Sequence, residues 1–457
     1  MSVMKSKCVS LSPLPRAMLV RASSTSETVT NGGTGTDSST PSSSNTSKES
    51  NAKQGCNKNN NEFLHKSWYK IRKMCLNDPN ALFSLKQTGD PLKVDCALLH
   101  RGDSIVEMNE ERIVIGDTQS HQLLQVNDED MKGIKRNQVL NLSDDGERWE
   151  GDVLNGKPYG WGVLYDSENR MVYEGFRIGD VNVCYGRSYY PENGKVEYEG
   201  ELCEGNRMGA GVLYDRDEVV IHDGEWVNNR PLLTRVEMTD KNPLLHNRIE
   251  ELIVKDKSCN GKEWKSLDLS LLSKLRKLTV GDECFNEVER VKLNGLNELE
   301  SVVVGKESFT FESDTTTSFE MKDCKKVEEL IIGKKSFHIF GAFSLENTPS
   351  LERIIMKGAN FYWASCWIRD MPKLKSMEFG PEAFGECVKA TFENLPELQS
   401  IRLEIGSFTF SKDCYEDNEL VMRNLPKLET CRVDTWMSPT FGHLCSATME
   451  GAFLFTI

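Results

Sequence analysis

Residues 198–215 read YEGELCEGNRMGAGVLYD, and residues 173–194 read YEGFRIGDVNVCYGRSYYPENG. The triplets Trp149-Glu150-Gly151, Tyr173-Glu174-Gly175, Tyr198-Glu199-Gly200 and His222-Asp223-Gly224 recur at 24, 25 and 24 residues. Gly160 and Gly162 follow the first triplet, and Gly209 and Gly211 stand at the same offsets after the third. The second unit keeps Gly186 and has Cys184 in the other place. Alternating aromatic and β-branched residues give strands. Asn155-Gly156 is a two-residue turn signal because both residues tolerate φ > 0, and Glu204-Gly205 and Asn228-Asn229 fall at the same place. The spacing predicts a row of β-hairpins over 147–231. A single hairpin is marginal, so stacking must supply the core. Glycine at fixed offsets leaves room for a ring from the next hairpin.

These units resemble the membrane occupation and recognition nexus (MORN) repeat, with three full units and one partial unit in less than a fifth of the chain. The resemblance implies a scaffold, a dimerisation module or an attachment beside enzymes and membrane junctions. Some such proteins bind phosphoinositides, so a peripheral membrane organiser is an alternative. Residues 147–231 hold 17 acidic and 9 basic residues, net −8. Clustered cations, which lipid phosphates require, are missing there, so membrane association is not the favoured reading.

A second repeat runs over 249–457. Ile249, Leu275, Leu299, Val327, Leu351, Leu374, Leu398 and Leu428 each open an apolar-x-x-apolar-x-apolar run, at spacings of 23 to 30 residues. Phe285, Phe309, Phe337, Phe361, Phe384 and Phe408 stand ten residues into most units, and a second short β pattern follows. A period near 24 with aliphatic residues in phase predicts a solenoid, one strand per turn in a parallel sheet, with an internal phenylalanine spine. NLPELQSI (394–401) and NLPKLETC (424–431) resemble leucine-rich repeats of an irregular, helix-poor kind. The fold expected is mainly β: hairpin row, then leucine-rich-repeat-type β-solenoid. The longer units are expected to bulge around Thr310–Ser318 and Phe410–Glu419.

Side chains alternate along a strand, so each solenoid strand points one residue outward between its apolar positions. Those residues are Ile253, Thr279, Val303, Ile331, Ile355, Glu378, Arg402 and Arg432. The first five make an apolar stripe that turns charged toward the C-terminus. Two readings stand: a candidate protein-binding stripe, or β-branched residues packing along a ladder.

The remaining sequence is plainer. Residues 1–61 form an expected disordered tail, rich in Ser, Thr, Asn and Gly. Its first 26 residues are basic, and an organelle-targeting segment is the alternative. Residues 62–146 read as a small lead-in, with one amphipathic helix over 63–75 and short strands such as 112–115 and 122–126. Net charge is −14 in 457 residues, which disfavours nucleic acid as a partner. Fourteen cysteines without C-x-x-C pairs point to free thiols and a cytoplasmic setting.

No phosphate-loop, dinucleotide, nucleophile-elbow or H-E-x-x-H pattern occurs, and seven dispersed histidines offer no zinc set. Asp215, Asp217 and Glu218, or Asp128–Asp130, lack calcium-loop spacing and read as acidic turns. No metal or cofactor is expected. The reading is a non-catalytic adaptor for protein partners whose identity the sequence does not give. The alternatives are the membrane organiser, a regulatory module of an enzyme complex, and an enzyme with its site in 62–146.

Overall fold

The structure, a computed structural model, describes Lys73 and residues 78–452, leaving out 89, 110–111, 126–132, 241–243, 312–316, 414 and 434–440. The expected tail, all of the expected helix but Lys73, and the acidic run at 128–130 lie outside these residues. The described chain is mainly β with almost no helix.

The hairpin row is a nine-stranded antiparallel sheet in simple chain order, running from Lys135–Asn141 to Arg230–Pro231. It therefore starts one strand before the first aromatic-glycine triplet. The turns are of the primed kind: φ is 52° and 74° at Asn155-Gly156, 51° and 77° at Glu204-Gly205, and 46° and 64° at Asn228-Asn229. Cys184 holds the left-handed conformation (φ 57°) that Gly160 and Gly209 hold in the neighbouring units. The repeat glycines do make room for rings, but each ring comes from its own hairpin. Gly200 pairs with Gly211, and the Tyr198 ring lies across the latter. Trp149 covers Gly162 and Tyr173 covers Gly186 in the same way. The hydroxyls of Tyr173 and Tyr198 donate to the carbonyls of Phe176 and Glu201 (2.9 and 2.8 Å).

The solenoid has two parallel sheets with about eight turns between them. The front sheet has nine strands, Arg235–Met238 to Thr430–Val433, and the back sheet eight, Ser266–Asp268 to Ser446–Ala452. Leu252, Leu278, Val302, Leu330, Ile354, Met377 and Ile401 point inward from the front strands and are buried. The six phenylalanines stack between the sheets, one per turn, at centroid distances of 5.1, 4.4, 5.0, 5.6 and 4.8 Å. All six have φ between 48° and 58°, a conformation bulky residues avoid. Just past the back strands Asp323, Asn347, Asp370 and Asn394, and within the last residues of one strand Asn424, take the left-handed conformation, which short polar side chains tolerate. The Asn347 and Asn394 amides donate to Asp323 and Asp370 in the preceding turns (2.6 and 2.7 Å). The expected bulge at 410–419 is partly core: Phe410 and Asn418 are fully buried.

Residues 82–125 form five antiparallel strands, and Leu245–His246 joins as a sixth at the edge beside Leu82–Thr88. This sheet joins the two repeats. Cys96, Leu98, Ile105 and Val114 share an apolar core with Phe176, Val183 and Met208 of the row. Alternate residues Ala97, Leu99, Val106 and Ile113 belong instead to the solenoid core, with Leu252 and Leu267. The free-thiol expectation fails at one pair: Cys96 and Cys203 form a disulfide between this sheet and the row. Their separation of 107 residues hides the pair from any spacing rule. The other described cysteines are free, six of them buried.

Glu107 is the polar tie of this joint. Its buried carboxylate accepts from the backbone N–H of Cys184 (2.9 Å) and Glu204 (3.0 Å), and from Arg112 (3.3 Å). Burial is the main cause of its raised pKa, set against those hydrogen bonds and the Arg112 charge. The folded state thus holds this proton more tightly than the unfolded chain does. The group's effect is that stability falls as pH rises from about 4.5 through the folded value. Glu107→Gln is expected to flatten that slope in urea midpoints taken between about pH 4 and pH 7. Glu107→Ala leaves two inward N–H groups without an acceptor and costs about 2–3 kcal/mol. An unchanged slope in the Gln variant would remove Glu107 from this role.

Candidate functional site

The strand register carries the outward residues into a single column. Ile253 pairs with Thr279, Thr279 with Val303, Val303 with Ile331, and Ile331 with Ile355. The column continues through Glu378, Arg402 and Arg432, and Glu237 precedes it. Parallel pairing at zero offset makes the column continuous, with neighbours about 4.8 Å apart. Ile253 through Glu378 are half-buried, and Arg402 and Arg432 are exposed. The structure thus brings all the sequence-named residues together on one face.

A charged column runs beside them. Arg235 pairs with Glu251 (3.5 Å) and Arg353 with Glu329. Just before the strands, Arg276 meets Glu300 (2.8 Å) and Lys375 meets Glu352 (2.8 Å). Past the strands, Gly305, Gly333 and Gly380 have no space for a side chain. A Cβ on any of them would press on the backbone of the preceding turn. The ladder is therefore an aliphatic strip between a rim of paired charges and a glycine margin. It offers shape and apolar surface and no acid, base or nucleophile among its aliphatic members.

Other residues carry little chemistry. No group of three His, Cys, Asp or Glu side chains among the described residues could hold a metal ion. Burial raises the pKa of the thiols at Cys184, Cys259, Cys324, Cys366 and Cys387, which disfavours the nucleophilic thiolate. His246 is pushed down to about 4, chiefly by burial. Asp215 accepts from the N–H groups of Asp217 and Val219 (2.9 Å each), the geometry of a turn.

The hairpin row has a shallow depression of about 170 Å³ lined by Tyr173, Asn182, Tyr198, Arg207 and Asn229. Arg207 is bound to Glu197 (2.9 Å) and lies over the Tyr198 ring (5.0 Å). Arg187 is held by Glu199 (2.8 Å), Arg170 by Asp166 (2.8 Å), and Arg177 by Asn182 (2.8 Å). Each of these guanidinium groups is thus engaged within the row. Comparison with protein-family models, curated proteins and solved structures gives no match to this chain.

Proposed function

We propose that the chain is a non-catalytic repeat scaffold that holds a protein partner against the outward ladder of the front sheet. In this reading the hairpin row is of the MORN type and the solenoid of the irregular leucine-rich type. The supporting observation is the ladder itself: Ile253, Thr279, Val303, Ile331 and Ile355 stand in unbroken register, half-exposed, and give way to Glu378, Arg402 and Arg432. An aliphatic strip ending in charge suits a partner segment with apolar residues at one end and polar ones at the other.

The double change Ile331→Arg and Ile355→Arg tests this reading. The side chains point away from the core, so the melting temperature is expected to stay within a few degrees of wild type. Proteins recovered with the wild-type chain, purified and added back, are expected to bind it and not the variant. A ladder that serves only sheet stability gives a lowered melt with binding retained by the fraction still folded, and that outcome ends the proposal.

A further inference from the structure

The bend between the front and back sheets recurs along the solenoid, and one turn adds an exposed aromatic residue to it. The place after the spine phenylalanine holds Asn286, Thr310, His338, Gly385 and Thr409 in the other five turns. In the Phe361 turn it holds Tyr362, followed by Trp363. Trp363 is 52% exposed, whereas Trp264 and the six spine phenylalanines are buried. The two rings meet edge to face, 5.2 Å apart at 78°.

The next turn is shaped around this pair. Backbone bonds hold the turns in register: Tyr362 N–H donates to His338 O (2.8 Å), and Glu386 N–H to Tyr362 O (2.7 Å). Gly385 lies buried under the Tyr362 ring, and a Cβ there would sit 2.8 Å from its Cδ2. His338 packs on the other side of Tyr362 (5.3 Å), its Nδ1 bound to Ala359 O (2.8 Å). Tyr362 is thus seated from both sides, which fixes the plane against which Trp363 stands.

This corner also carries two carboxylates. Glu300, Glu329, Glu352, Glu397 and Glu419 each face a cation in an adjacent turn. Glu382 and Glu386 have no ion pair among the described residues, and the backbone N–H of Glu386 is bound to Tyr362 O. Burial first, and then the charges of Glu386 and Glu382, raise the pKa of Tyr362. Two perpendicular ring systems with a pair of uncompensated carboxylates make an electron-rich, acidic corner. Ring faces attract cations, and guanidinium groups in particular stack on them.

We propose that Tyr362, Trp363, Glu382 and Glu386 form a receptor for an arginine side chain carried by a partner protein. The guanidinium plane lies along the exposed indole face, and its edge donates to the carboxylates. The corner uses none of the ladder residues, so it stands or falls separately from the front-sheet reading.

The test uses the full chain labelled with 5-fluorotryptophan. Trp363→Phe assigns the Trp363 resonance among the eight tryptophans. The probe is the peptide acetyl-Gly-Arg-Gly-amide, and its neutral counterpart carries citrulline in place of arginine. Expected is a saturable shift of the Trp363 signal with the arginine peptide, with apparent affinity roughly fivefold above that of the citrulline peptide. The double change Glu382→Gln and Glu386→Gln, isosteric at one exposed and one half-buried position, is expected to leave the melt unchanged and reduce the arginine peptide to the citrulline level. Equal shifts from both peptides, no saturable shift, or full response in the Gln variant would each overturn the proposal.

Discussion

Phe337→Ala is expected to lower the unfolding free energy of the solenoid by about 4 kcal/mol, the cost of emptying a buried aromatic site. Phe337 is fully buried and central to the spine. It stacks on Phe309 at 4.4 Å and on Phe361 at 5.0 Å, and meets Phe319 and Phe340 edge to face at 5.3 and 5.0 Å. Its removal opens a gap between rings held by both sheets, which cannot close without shifting the turns. The backbone adds a sharper expectation. Phe337 has φ 57°, where any residue with a Cβ pays about 1 kcal/mol or more and glycine does not. Phe337→Gly is therefore expected to be less damaging than Phe337→Ala, the reverse of the usual order in a strand. Urea unfolding of the two variants checks both statements. A glycine variant clearly weaker than the alanine one would mean that the left-handed turn carries no strain at this site.

The same spine shows why the solenoid was legible. Phe309, Phe337 and Phe361 recur in phase because stacking demands the same residue in the same place in every turn, and Leu299, Val327 and Leu351 recur for the same reason. The ladder from Ile253 to Arg432 followed from strand alternation alone. The sheet at 82–125 was legible only in pieces, because its strands are buried on both faces. Cys96-Ala97-Leu98-Leu99 sends alternate residues to two different cores, so no polar face marks the strand. Trp363 and Gly385 lie in adjacent turns, where periodicity describes the average turn and hides the one that departs from it. Glu107 gave no signal either: besides Arg112, its partners are backbone N–H groups 77 and 97 residues away.

Register in the back sheet has a further electrostatic source. Lys322, Glu346, Arg369, Glu393, Arg423 and Glu450 occupy one outward column, in that order. Lys322–Glu346 (3.5 Å), Arg369–Glu346 (3.3 Å) and Arg423–Glu450 (3.4 Å) are in contact. Each pair is exposed enough to contribute little to stability. Their alternation matters more as discrimination, because a slip of one whole turn would set like charges side by side. A repeat protein needs such marks, since its inward residues are nearly interchangeable between turns.

The hairpin row relies instead on a ring-over-glycine lock, and Gly211→Val is expected to break it at a cost of about 3 kcal/mol. A Cβ at position 211 would lie 2.6 Å from Tyr198 Cζ and 2.7 Å from its Cε2, so the ring must leave. Tyr198 is 2% exposed, donates to Glu201 O at 2.8 Å and packs edge to face on Trp226 at 5.8 Å. Trp226 in turn donates its indole N–H to the Gly211 carbonyl (2.9 Å), so both partners of the glycine are disturbed at once. A double-mutant cycle separates this clash from a general intolerance of valine. Tyr198→Ala alone empties the site, at about 3 kcal/mol or more. In that background Gly211→Val is expected to be neutral or mildly stabilising, because valine suits a strand once the ring is gone. The predicted coupling between the two positions is about 2–3 kcal/mol, well beyond what independent sites show. Additive losses in denaturant unfolding would mean that the glycine is required by the backbone, and the ring would lose its place as the reason for the repeat.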